Sequence, residues 1–191
     1  DLGDFEAWAD LCDSLVNDGR GGTFARARCD MVIDTERSGF ALAQEIAFAS
    51  WARLYWAGNK IKVWLDAAAT PAFLFSAGNV RECKIGYLGR RQRPNATEVS
   101  FANEEVNYDQ DIVSRFDEAA ILTAGQPVSK ETVEGTGVTR PGQAARLAVS
   151  RLNHARLETK RVELVSGPES AHLLPGDVAY VHTSALGVGA S

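Results

Sequence analysis

From Thr139 to Leu157 apolar residues return every three or four positions, at Ala144, Leu147, Ala148, Leu152 and Ala155, and this pattern commits the segment to a helix with one buried stripe. Thr139 is placed to cap it, and Pro141 is tolerated in its first turn because the missing N–H has no partner there in any case. The same geometry sets Arg151 inside the stripe, between Leu147, Ala148 and Ala155. An unpartnered buried charge is costly, so Arg151 is expected in a structural ion pair or against backbone carbonyls, a reading that outweighs a ligand site. Arg146 and Arg156 fall away from the stripe and are expected in solvent.

The rest of the chain breaks into shorter pieces. Asp4 is placed to cap a first helix whose stripe is Phe5, Trp8, Ala9, Cys12, Leu15 and Val16, ending near Asn17 before a turn at residues 18–22. Alternation from Thr23 to Ile33 suits a half-buried strand. Ser38 offers a second cap, and Phe40, Ala43, Ile46, Ala47, Trp51 and Leu54 continue a helical stripe that stops before Gly58-Asn59. Lys60 to Asp66 alternates again. Beyond Pro71 come β-prone pieces at 72–75, 81–88, 97–106 and 112–116, then the long helix, a strand at 160–165, a turn at Leu174-Pro175-Gly176-Asp177, and a last strand at 178–182. The expected class is α+β: a mixed lobe over residues 1–70, then a β-rich lobe over 71–191 with one long helix near 140–157.

Composition narrows the function classes. With 45% hydrophobic and 24% charged residues the chain has the make-up of a folded protein. Its apolar runs are far shorter than the ~18–20 residues of a membrane span. It opens Asp1-Leu2-Gly3-Asp4, without an initiator Met or a leader, which reads as a fragment of something longer. A net charge of −5 disfavours tight non-specific binding to nucleic acid, which draws its affinity from Lys and Arg.

No local motif advertises chemistry. Cys12, Cys29 and Cys83 are odd in number and irregularly spaced, as buried thiols would be. His154, His172 and His182 lack metal-ligand spacing, and no metal or cofactor is expected. The acids Glu104, Glu105, Asp109, Asp111, Asp117 and Glu118 could be imagined as a glycosidic-cleavage pair, but on a hairpin such a run reads first as a solvated face. Gly135-x-Gly137 is too short for a phosphate cradle, and Arg90, Arg91 and Arg93 read as an exposed loop. Asn95-Ala96-Thr97 matches a glycosylation sequon and is given no role. Trp8, Trp51 and Trp64 suit core positions, whereas Trp56 adjoins a turn; surface tryptophans would be needed for the competing reading of a sugar-binding module.

Read in order, several stretches resemble the central region of the tip attachment (host specificity) protein J family of long-tailed phages. They are Phe5 to Leu15 with Trp8, Cys12 and Asp13; Lys60 to Asp66 followed by residues 73–80; Glu98 to Phe101 with its acidic continuation; and above all Gly137-Val138-Thr139-Arg140-Pro141-Gly142-Gln143-Ala144-Ala145-Arg146, then Leu157-Glu158-Thr159, ending Leu174-Pro175-Gly176-Asp177-Val178. The sequence departs from the family in the run Ala67 to Ala69 and in stopping soon after the final strand. The resemblance implies a structural, non-enzymatic tail-hub piece in the virion, assembled in the host cytoplasm, with Gln143, Pro175, Gly176 and Asp177 as structural positions alongside Arg151. It implies a homotrimer that meets the distal tail ring, the tape measure protein and tail fibres, with DNA passing through its lumen unbound. The alternative is a glycan hydrolase or sugar-binding module carried on such a tail.

Overall fold

The computed structural model describes residues 2–18, 21–89 and 92–182. In chain order the elements are α1 (Leu2–Asp13), β1 (Leu15–Asn17), β2 (Thr23–Ala25), α2 (Gly39–Phe48), β3 (Ala52–Ala57), β4 (Lys60–Leu65), β5 (Phe73–Phe75), β6 (Val80–Tyr87), β7 (Ala96–Asn103), β8 (Asp109–Phe116), β9 (Lys130–Glu134), α3 (Pro141–Leu157), β10 (Lys160–Ser166) and β11 (Ala179–Val181). The class is α+β, as the sequence indicates. Two compact units interleave along the chain: Asp1–Leu65 with Arg90–Leu157, and Asp66–Gly89 with Glu158–Ser191. The long helix therefore groups with the first sixty-five residues, whereas the sequence reading divides the chain near residue 70.

The larger unit is built on a three-stranded sheet in the order β8-β7-β9, with β8 antiparallel and β9 parallel to the central β7. Strand side chains alternate between faces, so Val99 and Phe101 point to one side of β7 and Glu98 and Ser100 to the other. Helix α3 covers the first face, where its stripe of Ala144, Leu147 and Ala148 meets Val99, Phe101, Val133, Val138 and Ala49. A second cluster, Ala47, Ala52, Leu54 and Val63, lies under α2 and the β3–β4 hairpin, with Trp8 of α1 against it.

Four local expectations are corrected. Helix α1 begins at Leu2, so Asp4 sits inside the first turn, where a carboxylate meets the positive end of the helix dipole, rather than at the cap. The helix also ends at Asp13: Ser14 donates its hydroxyl to the Leu11 carbonyl (2.6 Å) and accepts from Arg26 Nε (2.8 Å), and Leu15 and Val16 pair with Ala25 and Phe24 as strands. The strand expected to reach Ile33 stops at Ala25, because the backbone that follows is bonded elsewhere. Helix α2 stops at Phe48; Trp51 then takes a φ of 61°, and β3 pairs with β4 across the two-residue loop Gly58-Asn59.

The smaller unit holds two strand pairs. Strand β6 runs antiparallel to β10 and β5 parallel to β11. The predicted turn before β11 is present: the Leu174 amide donates to Asp177 Oδ2 (2.7 Å), the Asp177 amide donates to the Leu174 carbonyl (3.1 Å), and Gly176 has a φ of 96°. Proline at the second position and a left-handed residue at the third define a type II turn. Gly176→Val is expected to cost this unit about 1–2 kcal/mol, because a β-branched residue must enter the left-handed region. Amide hydrogen exchange along β11 measures it, and unchanged protection there would contradict the turn's role.

Candidate assembly site

The polar groups at the start of α3 converge on holding chain segments together. Gln143 lies one turn before Leu147 and is only 1% exposed. Its Oε1 accepts from the Arg28 amide (3.0 Å), and its Nε2 donates to the Arg28 carbonyl (2.8 Å) and the Ala49 carbonyl (2.8 Å). One acceptor and two donors are thus all used on backbone. Alongside, the Asp30 amide donates to the Gly137 carbonyl (2.8 Å) and the Thr139 hydroxyl donates to Asp30 Oδ2 (3.0 Å), so Thr139 ties in the incoming segment instead of capping the helix. Gly137 has a φ of 73°, and a Cβ there would come within 2.5 Å of Cys29 Sγ, so the close passage of the two segments depends on glycine.

Beside this clasp two guanidinium groups lie over the Phe24 ring, Arg140 at 5.6 Å and Arg146 at 5.0 Å from its centroid. Arg140 also pairs with Glu104 at 3.1 Å. Arg146, expected in solvent, is half-buried: Nη2 donates to the Arg26 carbonyl (2.7 Å), and burial, then the charge of Arg26, lowers its pKa from the ordinary value. An open cleft of about 440 Å³ runs here, lined by residues of both charges, including Glu104, Glu105, Arg115 and Arg140, over an apolar floor of Phe24 and Val113.

The remaining sequence candidates are dispersed. Arg151 is half-buried with its guanidinium over the Phe48 ring at 5.1 Å, so an aromatic face answers its charge where a carboxylate or carbonyl was expected. Of the acids, Glu104 serves Arg140, Asp111 Oδ2 accepts from Asn103 Nδ2 (2.8 Å), and Asp117 Oδ1 accepts from the Ala120 amide (3.1 Å) at the start of a short π-helical turn. His172 Nδ1 lies 2.9 Å from the Glu169 carbonyl and its ring meets Phe73 edge-on. Among the described residues no three His, Cys, Asp or Glu gather as a metal site would require, and no helix is long and apolar enough to cross a membrane. Burial pushes the Cys12 and Cys29 thiols above their ordinary pKa. Arg93, expected exposed, is partly buried, while Arg90 and Arg91 lie outside the described residues, as do Gly19 and Arg20 of the first turn. The sequon is buried: Asn95 Nδ2 donates to the Pro127 carbonyl (3.0 Å), Oδ1 accepts from the Ser129 amide (2.8 Å), and Thr97 is inaccessible.

Sequence reasoning missed the guanidinium groups over Phe24 and the Asn95 clasp. One signal was present for Gln143, which precedes Leu147 and Arg151 at successive four-residue steps. A polar side chain on a buried stripe demands partners whether or not it is charged.

The chain belongs to the Phage-tail_3 family, described as "Putative phage tail protein", whose model matches residues 41–185. It is 28% identical over 169 residues to a tip attachment protein J of Escherichia phage SECphi27 and 25% identical over 177 residues to one of Escherichia phage SECphi4, matches that take in 87% and 91% of this chain. The chain spans only 14% and 15% of the length of those curated relatives. Its fold is similar to that of the tail protein from Neisseria meningitidis MC58, with a TM-score of 0.54 and 16% identity over 79% of this chain and 47% of that one.

Proposed function

We propose that the chain is a structural segment of the central hub at a phage tail tip, present as three copies around the tail axis and catalysing no reaction. The family match over residues 41–185 carries this reading. The polar chemistry supports it: Gln143, Thr139, Asn95 and Asn103 are all buried and all hold chain segments in register. On this reading the flanking parts of the full-length protein meet the distal tail ring, the tape measure protein and the tail fibres in the virion, after assembly in the host cytoplasm. DNA passes through the lumen without specific binding, which suits a chain of net charge −5, since like charge keeps a duplex from adhering to the wall.

Size-exclusion chromatography with light scattering on the full-length protein is expected to give the mass of three copies. A mass of one copy at every concentration would overturn the reading.

A further inference from the structure

Among its described residues the smaller unit has no core of its own. None of its described residues is buried, and Leu74, Tyr87, Val165 and Tyr180 are at least half exposed. Two-stranded sheets are marginal in water and gain stability from a further strand or a covering layer. Strands β6 and β10 pair only with each other among the described residues, so each leaves an outer edge of backbone N–H and C=O groups over eight and seven residues.

The pair itself shows which strand fits which. Its register sets Ile85 across from Val162 and Cys83 across from Leu164 on one face, and Lys84 across from Glu163 on the other. The outer edge of β10 offers the same residues in the same order as its inner edge, and so does the outer edge of β6. A β6 strand from a second copy, added antiparallel to the outer edge of β10, therefore meets the same apolar pairs and the same opposite charges. Neighbouring registers are worse. A slip of one residue turns an apolar face onto a charged one. A slip of two in one direction sets Lys84 against Arg161 and Glu82 against Glu163, both like-charged, and in the other direction leaves Lys84 across from Val165.

We propose that β6 of one copy adds to the outer edge of β10 of the next, with Lys84 opposite Glu163 across the joint, so that the sheet runs on from copy to copy. The inference rests on the reading of the chain as part of a multi-copy hub. A head-to-tail joint of this kind uses a different surface on each side and closes only in a ring.

The test uses the full-length protein with Cys83→Ser to remove the adjacent thiol. Chains carrying Lys84→Cys are co-expressed with chains carrying Glu163→Cys and oxidised, since directly opposed strand positions lie within disulfide reach. A disulfide-linked dimer, lost on reduction, is expected as the main product. It is expected to be absent when Lys84→Cys is combined with Lys160→Cys, which lies out of register on the opposite face, and absent from each single variant. Light scattering on the same samples separates the two ideas. A three-copy mass without the cross-link overturns the strand joint and leaves the hub reading standing, whereas a one-copy mass overturns both.

Discussion

Gln143→Leu is expected to destabilise the larger unit by about 3 kcal/mol, because the change keeps the volume of the side chain while stranding three backbone groups. The Ala49 carbonyl is buried and loses its bond outright; the Arg28 amide and carbonyl are only part-buried and recover some hydration, which holds the total below three full penalties. Urea unfolding followed by tryptophan fluorescence gives the loss, and exchange of the Arg28 amide reports the clasp directly. A loss under about 1 kcal/mol, or an Arg28 amide as protected as before, would mean that the clasp does not hold residues 28–30 against α3.

Leu147→Ala is the second large effect. Leu147 is 1% exposed at the centre of the cluster formed with Val99, Phe101 and Val138, so truncation removes apolar contact and leaves a cavity that the sheet cannot fill. About 3–5 kcal/mol is expected. Val149→Ala, two residues on and 43% exposed, shares the helix but not the core and is expected to stay within about 0.5 kcal/mol. Equal costs at the two positions would show that α3 does not present the Leu147 face to the sheet.

What could be read from the residues, and what could not, divides by the range of the interactions involved. Helix α3, strands β7 and β10 and the turn at 174–177 were legible, since each is specified by its own neighbours: a 3.6-residue stripe, β-branched alternation, or Pro-Gly in sequence. Strand β7 nevertheless stops at Asn103 rather than at 106, because Glu104–Val106 form a short 3-10 turn whose Glu105 amide donates to Asn103 Oδ1. Strand β3 was missed because Trp51 and Leu54 continue the helical spacing of α2. The break at Phe48 is imposed from afar, by Gln143 on the Ala49 carbonyl and by Trp8 Nε1, which donates to Ser50 Oγ at 2.7 Å. Strand β9 is specified by its parallel partner β7, which no local pattern announces. At the candidate site the charge of Arg151 was flagged from its place on the stripe, but its actual partner, the Phe48 ring, lies on α2 and is invisible to spacing.

The parallel pair β5–β11 has a consequence for synthesis. Phe73 pairs with Ala179, about a hundred residues later in the chain, and the segment between them contributes much of the larger unit. At about 5–20 residues per second, translation leaves β5 without its partner for on the order of 5–20 s. During that interval Phe73, Leu74 and Phe75 wait as an apolar stretch while the sheet of the larger unit and then α3 emerge from the ribosome. The larger unit can thus finish folding while β5 still lacks its partner, which gives chaperones a defined window on β5 that ends when β11 is translated.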